Sequence, residues 1–178
     1  MTGPSAFRTE DLPLAPVDAT MFKEGMSRLG AAVGVVTTST ANGPVGFTAT
    51  AICSVTDTPP TLLVCLNRSA SVHPDFDRAT TLCINMLAAN QEVVAQLFGG
   101  RTAMVERFDG STWKTLRTGA PVLSGAALSA DCQITERLSV GSHDILFCRV
   151  LALEFSDDAP ALAYHRRQFH SLPACVGR

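Results

Sequence analysis

Charge is scarce in this chain. Only 17% of its 178 residues are Asp, Glu, Lys or Arg, against 46% hydrophobic. Such a lean charge content excludes a disordered chain and hints that some apolar surface is covered by a partner subunit. A basic excess is missing as well. The formal net charge is −2, so no positive field gathers the phosphates of a nucleic acid. No run approaches the ~20 apolar residues that a membrane helix needs. Cysteine pairs are lacking too. Cys53, Cys65, Cys83, Cys132, Cys148 and Cys175 form no C-x-x-C, which speaks against a zinc ribbon or a dithiol redox site. Five of the six cysteines sit in apolar, strand-like runs and read as small buried hydrophobes. The chain also has no G-x-G-x-x-G, no G-x-x-x-x-G-K-[ST], no H-E-x-x-H and no G-x-S-x-G. A bound nucleotide therefore needs some other device to hold it.

The length suits one domain with core enough to fold unaided. Residues 1–17 carry prolines and acids but no apolar signal segment, so they read as a loose leader before a domain over residues 18–178. The expected location is the cytoplasm.

The chain is organised around Gly46-Phe47-Thr48-Ala49-Thr50-Ala51-Ile52-Cys53-Ser54-Val55, which reads as one strand stopped by Pro59-Pro60. Small side chains at Thr48, Ala49, Thr50 and Ala51 leave room for a flat ligand against the backbone, with amides and hydroxyls free as polar contacts. The same smallness equally suits a strand on which a helix packs closely.

Before this stretch, Asp18 can cap a helix over 19–29, with Phe22, Met26 and Leu29 as its buried stripe. A strand over 32–38 follows, and Ala41-Asn42-Gly43-Pro44 turns it into a hairpin. After the prolines come a strand over 61–66, apolar enough to be covered on both faces, a helix over 74–78 and a strand over 81–87. Asn90 is placed to cap a helix ending near Phe98. Two long strands, 128–140 and 145–155, join through Gly141-Ser142-His143-Asp144. A last strand spans 161–165. About seven strands with tight turns and three helices, and no β-α-β rhythm, predict a mainly β chain closed as an antiparallel barrel.

Three groups of residues bear chemistry. Asn67-Arg68-Ser69-Ala70-Ser71 lies where a strand yields to a helix, and its hydroxyls, guanidinium and amides suit a phosphate; a simple capping loop is the alternative. His143 and Asp144 alternate faces in a strand, so one faces a pocket while the other orients a neighbour. Ser54 or Ser142 with these two would make a strained serine-hydrolase set. His165 and His170 lack a carboxylate cluster, so no metal site is expected. Arg166, Arg167 and His170 near the end can reach an anionic ligand.

Six segments together carry a family resemblance. They are 26–33, 46–51, 53–60, Leu66-Asn67-Arg68-Ser69-Ala70-Ser71, Gly141-Ser142-His143-Asp144 and Arg167-Gln168-Phe169-His170-Ser171-Leu172. In this order the chain resembles the short flavin reductases of two-component monooxygenase systems, from Phe22 to Leu172. The resemblance implies a split β-barrel homodimer that binds FMN, or FAD, and takes a hydride from NADH, or NADPH. Reduced flavin would then leave for a partner monooxygenase; relatives that keep their flavin, as oxidases or as non-enzymatic binders, are the alternative. The resemblance further implies that Phe47, Thr48, Ala49, Thr50, Ala51 and Ser54 border the flavin ring and ribityl chain. Asn67, Arg68, Ser69 and Ser71 would hold the phosphate, and His143, with Asp144 beside it, would stand near the nicotinamide as the catalytic residue. Phe169 and His170 would approach from the tail. Some relatives place a lysine near the phosphate, and none is matched here.

Overall fold

The computed structural model describes residues 14–174. Most of the expected leader and Cys175 lie outside the described residues. The chain runs α1 (Ala19–Met26), β1 (Ala31–Ala32), β2 (Gly34–Thr40), β3 (Gly43–Ala49), β4 (Ile52–Asp57), β5 (Pro60–Asn67), α2 (His73–Arg78) and β6 (Thr81–Met86). A 3₁₀ turn (Ala89–Gln91) leads into α3 (Glu92–Gly99), α4 (Met104–Phe108), β7 (Trp113–Thr115), β8 (Pro121–Leu123), β9 (Leu128–Val140), β10 (His143–Phe155), β11 (Ala161–His165) and β12 (Gln168–Leu172). The mainly β, antiparallel class is the one the chain adopts. Seven strands form the main sheet in the order β3-β2-β6-β9-β10-β5-β4, with β1-β11-β12 and β7-β8 as smaller sheets.

Local chemistry sets these elements. Thr40 and Gly43 pair across Ala41-Asn42, and the Thr40 hydroxyl donates to the Gly43 carbonyl at 2.8 Å. The long β9–β10 hairpin turns through Gly141, whose φ of 55° suits a residue without a Cβ. Asp18 does cap α1, its carboxylate accepting from the Thr20 and Met21 amides.

The main core gathers residues from β2, β5, β6, β9 and β10, including Val36, Val64, Leu82, Ile84, Ala130 and Leu146. These residues share one face of the main sheet. Phe76 of α2 plugs this core and meets Phe47 edge-on, ring centroids 5.0 Å apart. A second core, with Val33, Val35, Leu87 and Phe98, lies on the outer face of β2 under α3. Strand β2 is thus buried on both sides. On the outer face of β6, under β8, Asn85 accepts from the Ser129 hydroxyl and the Leu123 amide and donates to the Val35 carbonyl. Asp131 accepts from the Arg117 and Thr118 amides and fastens the segment leading to β8.

Several expectations need correction. The central stretch is two strands, broken at Thr50-Ala51, because β3 and β4 leave on opposite margins of the sheet. Phe22, Met26 and Leu29 are exposed, and α1 buries no residue in this single chain. Gln91 precedes α3 and Asn90 does not cap it; the Gln91 side chain instead takes the Ala88 amide. Strand β5 buries Val64 and Leu66 but leaves its other face partly open. Of the described cysteines, Cys83, Cys132 and Cys148 are buried, Cys65 is half-buried and Cys53 is exposed. Among the described residues twelve strands form where about seven were expected: the central stretch splits, β12 follows the strand expected to be last, and β1, β7 and β8, of two or three residues, give no alternation to read.

Candidate functional site

The break at Thr50-Ala51 opens the site. A cavity of about 430 Å³ is lined by Phe47 to Ala51, by the end of β5 and the Ala70–Val72 loop, by the end of α3, by Arg107 and by His143. That volume falls in the range of small-molecule sites, ~300–1,000 Å³. A second cavity of about 360 Å³ adjoins it and shares Thr48, Thr50, Gly99 and Gly100.

Strand β3 makes both walls possible. A Cβ on Gly46 would stand 2.8 Å from the Val36 carbonyl oxygen and 2.8 Å from the Phe98 ring, so α3 can lie here only against glycine. Thr48 donates its hydroxyl to the Ala95 carbonyl at 2.7 Å, pinning the same helix. Close helix packing therefore accounts for Gly46 and Thr48, while Ala49, Thr50 and Ala51 face the first cavity.

The opposite wall is a knot of short contacts between the loop after β5 and the tip of β9–β10. Asn67 Oδ1 accepts from the amide and hydroxyl of Ser69, each at 2.9 Å. The Arg68 amide donates to the Ser142 carbonyl at 2.9 Å, and its guanidinium to the Gly141 carbonyl. His73 Nε2 lies 2.7 Å from Asp144 Oδ2, and Ser139 Oγ donates to the other carboxylate oxygen at 2.7 Å. The His73 contact first, and the Ser139 hydroxyl second, hold the Asp144 carboxyl below the usual carboxylate range.

The site residues expected from sequence divide accordingly. Phe47, Thr48, Ala49, Thr50, Ala51, Asn67, Ser71 and His143 line the first cavity. Phe169 lines the second, stacked near Tyr164 with centroids 5.1 Å apart. Ser54, Arg68, Ser69, Asp144 and His170 line neither. Ser54 lies exposed on β4; Arg68 and Ser69 are spent on local carbonyl and side-chain contacts. Asp144 is buried on the face of β10 opposite His143, and His170 points its Nε2 to the His165 carbonyl at 3.3 Å. The serine-hydrolase arrangement does not assemble: Ser142 Oγ reaches His143 Nδ1 at 2.9 Å, but Asp144 turns to His73 instead. Among the described residues no group of three His, Cys, Asp or Glu is placed to hold a metal ion.

Sequence reasoning missed Arg107. This guanidinium is buried at 7% exposure on the cavity wall. It donates to the carbonyls of Thr102, Phe98 and Gly100 at 2.9–3.1 Å, closing the C-terminal end of α3. Among the described residues no carboxylate pairs with it. Carbonyl dipoles alone therefore solvate this buried cation on the cavity wall. Its only signal in the sequence was an Arg-Phe pair within an irregular segment.

Residues 26–173 match the family model described as flavin reductase like domain, and the chain belongs to this family. Its relatives include the Pantoea ananatis protein named FMN reductase (NADH) RutF, 52% identical over 166 residues that cover 91% of this chain and 87% of that one. Among solved structures, a Haemophilus somnus protein described as a flavin reductase superposes with a TM-score of 0.86 at 44% identity, over 88% of this chain and 100% of that one. BorF, the flavin reductase component of a bacterial two-component tryptophan halogenase, superposes with a TM-score of 0.81 at 33% identity, over 88% and 99%.

Proposed function

We propose that this chain is an NADH-dependent FMN reductase that releases reduced flavin to a separate monooxygenase. The observation that carries this reading is the lane from Thr48 to Ala51, which lines one cavity together with the buried Arg107 and with His143. The residues fit the group. Small side chains admit a flat ring to the backbone, and the loop from Asn67 to Ser71 with Arg107 offers polar and positive contacts at the edges. FMN, when bound, supplies the hydride-accepting chemistry.

The chain's own residues position and exclude. Ala49, Thr50 and Ala51 set the approach of a ring to the β3–β4 break, and Thr48 holds α3 in place as the far wall. His143 stands at the open side with its ring turned to Ser142, where a nicotinamide approaches. The similar FMN reductase (NADH) of Pantoea ananatis favours FMN and NADH, and the halogenase reductase favours a diffusing product. The apolar side chains left exposed on α1 support a split-barrel homodimer. The five cysteines among the described residues are free thiols, which supports a reducing, cytoplasmic setting.

Mixing the protein with NADH and excess FMN, and following NADH absorbance, tests the reading: consumption should require added flavin. His143→Ala should raise KM for NADH while leaving the flavin Kd near that of the parent. Undiminished NADH efficiency in this variant would remove His143 from the site.

A further inference from the structure

Strands β11 and β12 pair His165 with Gln168, leaving Arg166 and Arg167 as a two-residue turn. Both have positive φ, 49° and 62°. Such turns favour Asn and Gly, and long side chains occupy them under strain. No local preference explains two arginines here. Arg167 lines the second cavity, where its neighbours are the Tyr164–Phe169 aromatic pair, Gln96 and the hydroxyls of Thr48 and Thr50. The lining holds no carboxylate. Outside the cavity, the Arg167 guanidinium reaches Glu24 of α1 at 2.7 Å. Glu24 also takes Arg28 at 2.6 Å, and the two guanidiniums, Arg167 first, hold its carboxyl below the ordinary range. The Arg166 amide donates to the Ser27 carbonyl at 2.6 Å, fixing the turn to the end of α1.

We propose that the second cavity binds the phosphate-bearing part of the nicotinamide donor, with Arg167 as its anchor, and that Glu24 occupies Arg167 until that anion arrives. This rests on the NADH-dependent reading. The chemistry matches: one guanidinium for a phosphate, an aromatic pair for a base, and the Thr50 hydroxyl for a ribose. An exposed ion pair with Glu24 contributes little, so a phosphate can displace it. The shared residues Thr48 and Thr50 put this anchor beside the cavity assigned to flavin, so one dinucleotide can span both.

Three measurements decide it. Arg167→Gln should raise KM for NADH about tenfold, yet leave KM unchanged for FMN and for reduced nicotinamide riboside, which has no phosphate. Calorimetric titration of flavin-free protein with ADP should show a similar loss in Arg167→Gln and partial rescue in Arg167→Lys. Glu24→Gln should act in the opposite direction, tightening ADP, because it frees the anchor. Equal losses with NADH and the riboside, or parallel losses in Arg167→Gln and Glu24→Gln, would mean that the pair only docks α1, and would overturn the proposal. Unaltered ADP binding in Arg167→Gln would overturn it too. A parent protein that fails to oxidise NADH with FMN present would instead defeat the reductase reading, while the ADP titrations still judge Arg167.

Discussion

At residue scale, Asp144 shows how a side chain next to a site residue serves by facing away from it. Alternation along β10 puts His143 at the cavity and Asp144 in the interior, where His73 and Ser139 hold its carboxylate. The sequence made the alternation legible; the partners 71 and 5 residues away were not. Because the folded carboxyl titrates below its unfolded value, its contribution is present above the unfolded pKa of ~3.9 and is lost as pH falls through the folded one. Asp144→Asn should therefore cost about 1–3 kcal/mol at neutral pH, and the gap to the parent should close as pH falls below about 4. Urea unfolding at a series of pH values measures this. A gap that persists unchanged in acid would show that geometry, not charge, is what Asp144 supplies.

At the scale of elements, the contact between β3 and α3 decides whether the site exists. Gly46 has no room for a Cβ, because both backbone and ring stand too near. Gly46→Ala should destabilise by about 1–3 kcal/mol and weaken flavin binding together, since the strain is relieved by moving α3, which carries Gly99 and Gly100 of both cavities. Trp113, packed on Phe98 and Phe108 with centroids at 5.7 and 4.9 Å, reports the unfolding by its fluorescence. Stability lost with flavin binding intact would separate the helix from the site. Helix α1 gives the contrary case. Its stripe of Phe22, Met26 and Leu29 was readable from spacing, but the single chain offers it no surface to cover.

At the scale of the molecule, that stripe becomes a prediction. Met21, Phe22, Met26 and Leu29 on and after α1, with Leu153 and Phe155 at the far end of β10, are large apolar groups left to solvent. A second copy is the partner the proposal calls for, so light scattering should give about twice 18.8 kDa. Phe22→Glu should shift the protein toward the single-chain mass. A parent that runs as a monomer at micromolar concentration would leave those groups unexplained and refute the dimer.

Composition, turn residues and strand alternation determined the mainly β antiparallel class, both long strands and half of the first cavity's lining. Those properties are local, and each is set by residues within a few positions of one another. Tertiary structure alone decided that the central stretch breaks into two strands, that Ser54, Arg68 and Ser69 face away, and that Arg107 joins the site. Arg107 reaches its place only because α4 folds back on the carbonyl end of α3 and on β3, 61 residues earlier. No spacing rule spans such a separation, since the contact depends on how packed elements meet and not on any periodicity along the chain.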